Sequence, residues 1–466
     1  MLRPVLTIFL LFLRIDALEN GLARTPPMGW MSWAAFFCEV DCQKHPHDCI
    51  NERLYVTQAD QIVSDGFREA GYTSIHIDDC WMEMQRTALD RLAANRSRFP
   101  SGIKNLAKMM HQRGLKLGIY EDYGTLTCAG YPGSKGYVEI DAETFSDWDV
   151  DYLKFDGCYC NMSEVAAGFK SMRYALEKVQ QKMIYSCEWP LYLKQAPEMI
   201  HYDEIAENCN LWRNFDDVYS NWGSILSIID FQAENQDEIA KVQKPGAWND
   251  PDMLVIGNGN LTVEQCRSQM SIWCIWSAPL IMSTDLRILE PEYREILLNK
   301  KAIAVDQDPM GKFGKRVYKE GDLNIFSKPI QPTEGEKTSL AIALLNRNPD
   351  SPIDHTFTLS SLGLHEPVKL IEIWSNTEFG KVNPDASIKV TIHPSDTLFF
   401  TAKLLSAASH ELSDEELKRH LEENRISAEK AQQAAKIRKL FILLLVFVAY
   451  SIGATGYIIF MFTQCK

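Results

Sequence analysis

Histidine is scarce in this sequence, with 10 among 466 residues. A metal-dependent barrel hydrolase draws on His-rich ligand sets, and only His76 stands near a predicted strand end. Alternation is expected to turn it away from the acid that follows. The cysteines offer no metal centre either. Cys158-Tyr159-Cys160 and Cys38…Cys42 lack a matching second pair at zinc-like spacing. No Gly-rich phosphate loop follows the first predicted strand, which argues against a doubly wound nucleotide-binding sheet. No Lys/Arg-rich run is available to neutralise phosphates, and the formal net charge is −14, so nucleic acid is excluded as a partner. No internal repeat or long low-complexity tract appears. Neither a metal nor a cofactor is expected.

Secretory features are present. Arg3 followed by the apolar run Pro4 to Leu13 reads as a signal peptide cut before Leu18. Of the 12 cysteines, nine lie between Cys38 and Cys209, a crowding that points to disulfides in an oxidising compartment. Sequons at Asn95, Asn161 and Asn260 fit secretory transit. From Leu440 to Phe462 the chain is uncharged and mostly apolar, long enough for a transmembrane helix. A charged helical stalk precedes it, opened by the capping box Ser413-Asp414-Glu415-Glu416 and closed by Lys436, Arg438 and Lys439. The positive-inside rule would put this basic cluster in the cytoplasm. The cysteines and sequons require the larger part on the lumenal or extracellular face, as a single-pass anchor allows.

From Met28 to about Asp285 short apolar strands alternate with amphipathic helices, which predicts a parallel sheet. Candidate strands are 28–33, 72–79, 116–122, 151–157, 184–190, 211–217, 247–254 and 278–285. Eight strands at this spacing fit an α/β fold of the closed (β/α)8 barrel type. Two helical faces support it: Tyr55, Ala59, Ile62, Val63, Phe67 and Ala70, then Val165, Phe169, Met172 and Leu176. Beyond Asp306-Gln307-Asp308-Pro309 the pattern changes to short β segments, 323–326, 339–345, 368–374 and 388–392. An antiparallel sandwich is expected there. The expected organisation is a signal peptide at 1–17, a barrel at 18–310, a β-sandwich at 311–405, a stalk at 406–439 and a membrane helix at 440–462.

Acids recur at the predicted strand ends: Asp78, Asp79, Asp122, Asp156, Glu188, Asp216, Asp217, Asp250, Asp252 and Asp285. In a barrel these ends converge on one mouth. Trp30, Trp33, Trp81, Tyr120, Trp189, Tyr192, Trp212 and Trp248 accompany them. Carboxylates that accept from hydroxyls, beside rings that cover apolar sugar faces, are what a pyranose site needs. With histidine so rare, two-carboxylate glycoside hydrolysis is the expected chemistry.

The segments Met28-Gly29-Trp30, Ile77-Asp78-Asp79-Cys80-Trp81, Lys154-Phe155-Asp156-Gly157-Cys158, Tyr185-Ser186-Cys187-Glu188-Trp189-Pro190-Leu191-Tyr192, Trp212-Arg213-Asn214-Phe215 and Trp248-Asn249-Asp250-Pro251-Asp252-Met253 resemble the α-galactosidase/α-N-acetylgalactosaminidase family, a melibiase-like group of glycoside hydrolases, in its animal lysosomal branch. The resemblance spans roughly residues 18 to 400. It implies retaining hydrolysis of terminal α-galactosides with Asp156 as nucleophile and Asp217 as acid/base. Lys154 would help hold Asp156 ionised. Asp216 is the adjacent rival for the acid/base, and alternation is expected to put it on the opposite face.

By the same resemblance Trp33, Asp78, Asp79, Tyr120, Lys154, Glu188, Leu191, Tyr192, Arg213, Asp252 and Met253 bind sugar. Cys38–Cys80, Cys42–Cys49, Cys128–Cys158 and Cys187–Cys209 pair as disulfides. Cys160, Cys266, Cys274 and Cys465 stay free, and the protein is a homodimer. Glu188 and Leu191 favour galactose, where the N-acetylgalactosaminidase branch has Ser and Ala. The membrane segment departs from the family pattern, as do Glu121 and Asp216, which stand where small residues are expected. Removal of N-acetylgalactosamine, or galactose binding by a membrane-tethered protein without turnover, are the alternative readings.

Overall fold

The computed structural model describes residues 17–405. Eight short strands build the first sheet: β1 Met28–Met31, β2 Ser74–His76, β3 Lys116–Asp122, β4 Tyr152–Asp156, β5 Ile184–Cys187, β6 Leu211–Arg213, β7 Trp248–Asp250 and β8 Leu280–Met282. All pairings are parallel, in the order β7-β6-β5-β4-β3-β2-β1-β8. The result is a (β/α)8-like barrel with helices outside. Between β7 and β8 the ladder gives way to one parallel bridge, Leu254↔Met282. There the Leu254 amide donates to the Ile281 carbonyl at 2.8 Å and the Ser283 amide donates to the Leu254 carbonyl at 2.8 Å. β7 ends early because Asp252 takes a left-handed φ of 79°, which turns the chain out of the ladder.

Each strand lies inside its predicted window, and most windows run past the strand. The apolar pattern continues beyond the last sheet hydrogen bonds, and the overrun residues are the loop positions that carry the acids. Alternation sorts the rest. Leu153 and Phe155 face the helices, where Phe155 meets Phe169 of the helix Met162–Lys178 edge-on at 5.5 Å. Tyr152, Lys154 and Asp156 face inward. The other predicted helical face is split between Glu52–Ser64 and Phe67–Ala70. Gly66, at φ 85°, makes the break at no steric cost.

His76 sits inside the barrel, on the same side as Asp78, and this corrects the expectation that it turns away. Positions 74, 76 and 78 share one parity. Its ring packs edge-on to Tyr152 at 4.2 Å and shares a 2.7 Å hydrogen bond with Ser74. A Cβ on Gly118 would stand 2.2 Å from His76 Nδ1, so only glycine admits the ring. Burial, with the Lys154 charge nearby, drives the imidazole down to about 3, so His76 is neutral packing.

The second region holds β9 Lys315–Glu320, β10 Leu323–Glu334, β11 Lys337–Asn346, β12 Ile353–Phe357, β13 Val368–Glu372, β14 Thr377–Val382, β15 Ile388–Ile392 and β16 Thr397–Leu404. Six form an antiparallel sheet, β14-β13-β16-β11-β10-β9, and β12 pairs with β15. The sheet buries both faces. Ile325, Ile342, Leu344 and Phe400 pack into a core shared with Phe357 and Ile392. Phe326, Ala341, Ala343 and Phe399 join the barrel's own core. β9, β12, β14 and β16 have no counterpart among the predicted segments. β9 and β14 are exposed edges rich in charge, which carry no clean alternation to read.

The membrane element of the expected fold is corrected. Among the described residues no helix is long and apolar enough to cross a membrane. The signal segment to residue 16, the stalk 406–439 and the apolar run 440–462 lie outside the described residues, as does Cys465.

The junction between barrel and β domain is continuous. Trp276 stacks on Phe313 at 5.8 Å and meets Phe326 edge-on at 6.3 Å. Lys328 on β10 donates to the carbonyls of Cys274 and Val305 and to Ser277 Oγ. Arg267 reaches Asp396 through two hydrogen bonds of 2.6 and 3.1 Å. Such a shared core predicts cooperative unfolding. Phe326→Ala, which empties a fully buried ring site, should destabilise the protein by about 3–5 kcal/mol. Denaturant unfolding followed by barrel and β-domain probes should give one coincident transition. Two separate transitions, with only the β-domain one shifted, would refute the shared core.

Candidate active site

The inward side chains of β3 and β4 and the segments after β1 to β6 converge on one cavity of about 690 Å³. Of the residues singled out in the sequence, Trp33, Asp78, Asp79, Tyr120, Lys154, Asp156, Glu188, Leu191, Tyr192 and Asp217 line it. Arg213, Asp252 and Met253 instead line a smaller void of about 10 Å³ beneath it.

Asp156 ends β4 and is buried at 6% exposure. Tyr120 donates to its Oδ2 at 2.8 Å, Tyr192 to its Oδ1 at 2.5 Å, and the Gly157 amide to the same Oδ1 at 2.9 Å. Three donors fix the carboxylate's direction. Gly157 also makes room: a Cβ there would meet the Tyr192 ring at 2.8 Å. The Lys154 ammonium donates to Asp78 at 2.9 Å and pairs with Glu188 at 3.2 Å, and its charge also interacts with that of Asp156.

Arg213 organises the opposite side. Its guanidinium lies 2.9 Å from Asp217, 3.1 Å from Asp252 and 3.4 Å from Glu188. Burial opposes ionisation of Asp217. The Arg213 and Lys154 charges, with hydrogen bonds from Arg213 and Trp33, outweigh it and lower the carboxyl. Asp217 is also the more open acid, its side chain 39% exposed against 3% for Glu188. Burial and the nearby Asp156 charge push Glu188 up to about 8 despite Lys154 and Arg213.

Asp79 lines the cavity and also ties down a neighbouring loop. Its carboxylate takes the Cys80 amide at 2.6 Å, the Thr127 hydroxyl at 3.0 Å and the Ala129 amide at 2.9 Å. It therefore anchors the loop after β3. Asp216 departs from the expectation that alternation puts it on the opposite face. β6 stops at Arg213, so alternation does not apply to the two acids, and both line the cavity. Asp217 leans on Arg213 while Asp216 pairs with Lys194. Glu121 faces outward among Arg86, Ser134 and Asp141, behind the cavity, and burial raises its carboxyl well above the usual range.

Cys38–Cys80, Cys42–Cys49, Cys128–Cys158 and Cys187–Cys209 are bonded, and Cys160, Cys266 and Cys274 are free. Cys128–Cys158 lies on the cavity wall, its Cys128 sulfur 3.4 Å from Asp156. Asp122, Cys128, Asp156 and Cys158 gather four ligand-type atoms, but oxidised sulfurs are not thiolate ligands. The sequence reading missed Cys160, Met162, Lys194, Gln195 and Tyr219, which also line the cavity. Met162 opens the helix Met162–Lys178 and the others sit in loops, where no periodicity marks an inward direction.

The buried acids fix a pH dependence of stability. Burial, chiefly, raises Asp79 to about 6, Asp250 to about 6, Glu188 to about 8 and Asp122 to about 9. In each case the folded state holds a proton that the unfolded chain releases near pH 4. Between about pH 4 and 9 the native state therefore binds more protons, and stability falls as pH rises. Asp217, Asp230 and Asp285 are lowered, so their contribution changes only below that window. The unfolding temperature should be higher at about pH 5 than at about pH 8. A flat or rising profile across that interval would contradict the assignment of protonated acids in and around the cavity.

Comparison with known proteins agrees with this geometry. The melibiase family model described as "Alpha galactosidase A" matches residues 25–308. The α-N-acetylgalactosaminidase of Gallus gallus is 45% identical over 387 residues, 82% of this chain and 94% of that protein. α-Galactosidase A of Homo sapiens is 48% identical over 351 residues, 74% of this chain and 80% of that one. The crystal structure of α-galactosidase I from Mortierella vinacea superposes with a TM-score of 0.73 at 30% identity, covering 82% of this chain and 98% of that one. The match extends over more than half of the chain, and the protein belongs to the melibiase family of glycoside hydrolases.

Proposed function

We propose that this chain is a retaining exo-α-galactosidase, acting on terminal α-D-galactosyl residues of glycolipids, glycoproteins or oligosaccharides. The observation that carries the reading is Asp156, held by Tyr120, Tyr192 and the Gly157 amide at the floor of a cavity whose other wall presents the more open Asp217. In the first step an Asp156 oxygen forms a bond to the anomeric carbon while the glycosidic C–O bond breaks. Its electron pair stays on the leaving oxygen, which takes a proton from Asp217. In the second step Asp217 removes a proton from water, the water oxygen bonds to the anomeric carbon, and the bond to Asp156 breaks. Galactose leaves with both acids restored. Arg213 keeps Asp217 ionised in the free enzyme, which suits the second step. The first step requires Asp217 to be protonated in the substrate complex, as an acidic lumenal compartment favours.

The four disulfides fit a protein of the secretory pathway. A lysosomal or otherwise lumenal or extracellular site of action, a homodimeric state, and glycans on Asn95, Asn161 and Asn260 belong to this proposal. Asn161 and Asn260 are exposed and Asn95 is half-buried.

Asp156→Asn should keep the fold and lower α-galactoside turnover by several orders of magnitude. A fluorinated galactosyl trap should label Asp156 in the unmodified enzyme. Recovery of the label on Asp217 or Asp216 would sink the nucleophile assignment.

Galactose is preferred over N-acetylgalactosamine on the strength of Glu188 and Leu191. Glu188 is pinned between Lys154 and Arg213, so it cannot swing aside for an acetamide. Leu191 is half-buried on the same wall. Glu188→Ser with Leu191→Ala should shift the ratio of kcat/KM towards α-N-acetylgalactosaminides and weaken galactoside turnover. Comparable turnover of both sugars by the unmodified enzyme, or an unchanged ratio in the double variant, would overturn this account of the preference.

A further inference from the structure

Cys160 and Met162 line the cavity, and the residue between them is Asn161, the first of the sequon Asn161-Met162-Ser163. All three sequon residues are exposed. Asn161 is the N-cap of the helix Met162–Lys178 but makes no side-chain capping bond. Its side-chain nitrogen donates instead to Glu164 at 3.1 Å, and Glu164 pairs with Lys135 at 2.7 Å. The asparagine is thus rooted at the rim while its side chain is held by the segments after β3 and β4. Tyr159, two residues earlier, is 61% exposed and has a φ of 50°. A bulky residue in the left-handed region is strained, and a ring this open adds little to the core. Its aromatic face is presented to solvent beside the sequon.

This position can carry a glycan without disturbing the fold. The Asn161 nitrogen bonds to C1 of the first N-acetylglucosamine of a lipid-linked oligosaccharide diphosphate, supplied in the secretory pathway. The bond from C1 to the diphosphate breaks, its electron pair leaves on the diphosphate, and the nitrogen loses one of its two protons. The remaining N–H can still donate to Glu164. The C–H face of the first sugar has the Tyr159 ring to lie against. An N-linked oligosaccharide is bulky and solvated. Rooted beside two cavity-lining residues, it occupies space in front of the mouth. Because Asn161 turns its side chain to Glu164, the pocket itself stays open. A free oligosaccharide passes the glycan, whereas galactose carried on a folded protein brings a body that competes for that space.

We propose that a glycan on Asn161 is a size filter at the cavity mouth, which selects free oligosaccharides over the same glycans borne on a folded protein. The proposal rests on the α-galactosidase reading and on transit through the secretory pathway. Of the substrates that reading allows, it disfavours intact glycoproteins. The glycan acts by excluded volume alone, and Asn161 takes no part in the chemistry at the anomeric carbon.

The test uses the full chain produced in animal cells. Mass spectrometry of the Asn161 peptide should find it glycosylated, and a bare Asn161 would overturn the proposal. One folded glycoprotein with terminal α-galactose is then offered intact and, at equal galactose concentration, as its released glycans. Sugar and linkage are shared, so the ratio of the two kcat/KM values reads only the bulk behind them. Asn161→Gln and Ser163→Ala each delete the sequon. Both should raise the intact-to-released ratio several-fold and leave turnover of the released glycans unchanged. Trimming the folded, unmodified enzyme with an endoglycosidase, removed before the assay, should move the ratio the same way, which keeps the test decisive if a variant misfolds. An unmoved ratio under all three treatments, or an equal rise on both substrates, would overturn the filter and leave the α-galactosidase reading in place. If the unmodified enzyme cleaves neither the released glycans nor a nitrophenyl α-galactoside, that reading itself fails and the filter with it.

Discussion

Everything at the cavity depends on an imbalance of buried charge. Two cations, Lys154 and Arg213, stand among Asp78, Asp156, Glu188, Asp217, Asp250 and Asp252. Two positive charges cannot neutralise six carboxylates in a medium that opposes ionisation. The structure resolves this by letting burial hold protons on some acids, as on Glu188 and Asp250, while the guanidinium keeps Asp217 ionised. The two acids given catalytic roles are therefore set apart by their partners. Asp156 accepts from two tyrosyl hydroxyls and a backbone amide, and Asp217 leans on Arg213.

That charge layer needs a rigid frame. The sheet supplies it by alternation: each strand sends one side chain to the interior for every one sent to the helices. Below the charged layer His76, Tyr152, Leu211 and Trp248 fill the interior, with Gly29 and Gly118 giving His76 its space. Two disulfides brace the loops that follow the strands, and a third ties two neighbouring strands' segments together. Cys38–Cys80 joins the loops after β1 and β2, Cys128–Cys158 joins those after β3 and β4, and Cys187–Cys209 ties the end of β5 to the segment before β6. Asp122 and Asp79 reinforce them by accepting from loop amides at Gly124, Cys158 and Ala129. The loops are thus held by both covalent and hydrogen bonds.

The β domain serves the same end. Its sheet buries one face in its own core and the other in the barrel's, so the helix Val263–Trp276 is held on two sides. This helix supports the short return from β7 to β8, where the ladder is reduced to one bridge. Trp273 donates to the Asp252 carbonyl at 2.7 Å and Gln269 to the Met253 carbonyl at 3.1 Å. The irregular turn that closes the barrel and seats Asp252 against Arg213 is fastened from behind.

The sequence by itself determined the eight parallel strands, the acids at their ends and the change to β structure after residue 310. Apolar periodicity and strand-end chemistry are local properties that survive in one dimension. The motifs around Asp156, Glu188 and Arg213 carried the family resemblance for the same reason. Tertiary structure decided what local pattern does not encode. It set Lys154 on Asp78 and Glu188, tied Asp79 to the loop after β3, and turned both Asp216 and Asp217 towards the cavity once β6 had ended. It made β16, unread in the sequence, a central strand between β13 and β11. It also brought Lys194 from one loop against Asp216 from another. Those outcomes depend on which charges and loop ends meet in space, and side chains far apart along the chain settle them through burial and pairing.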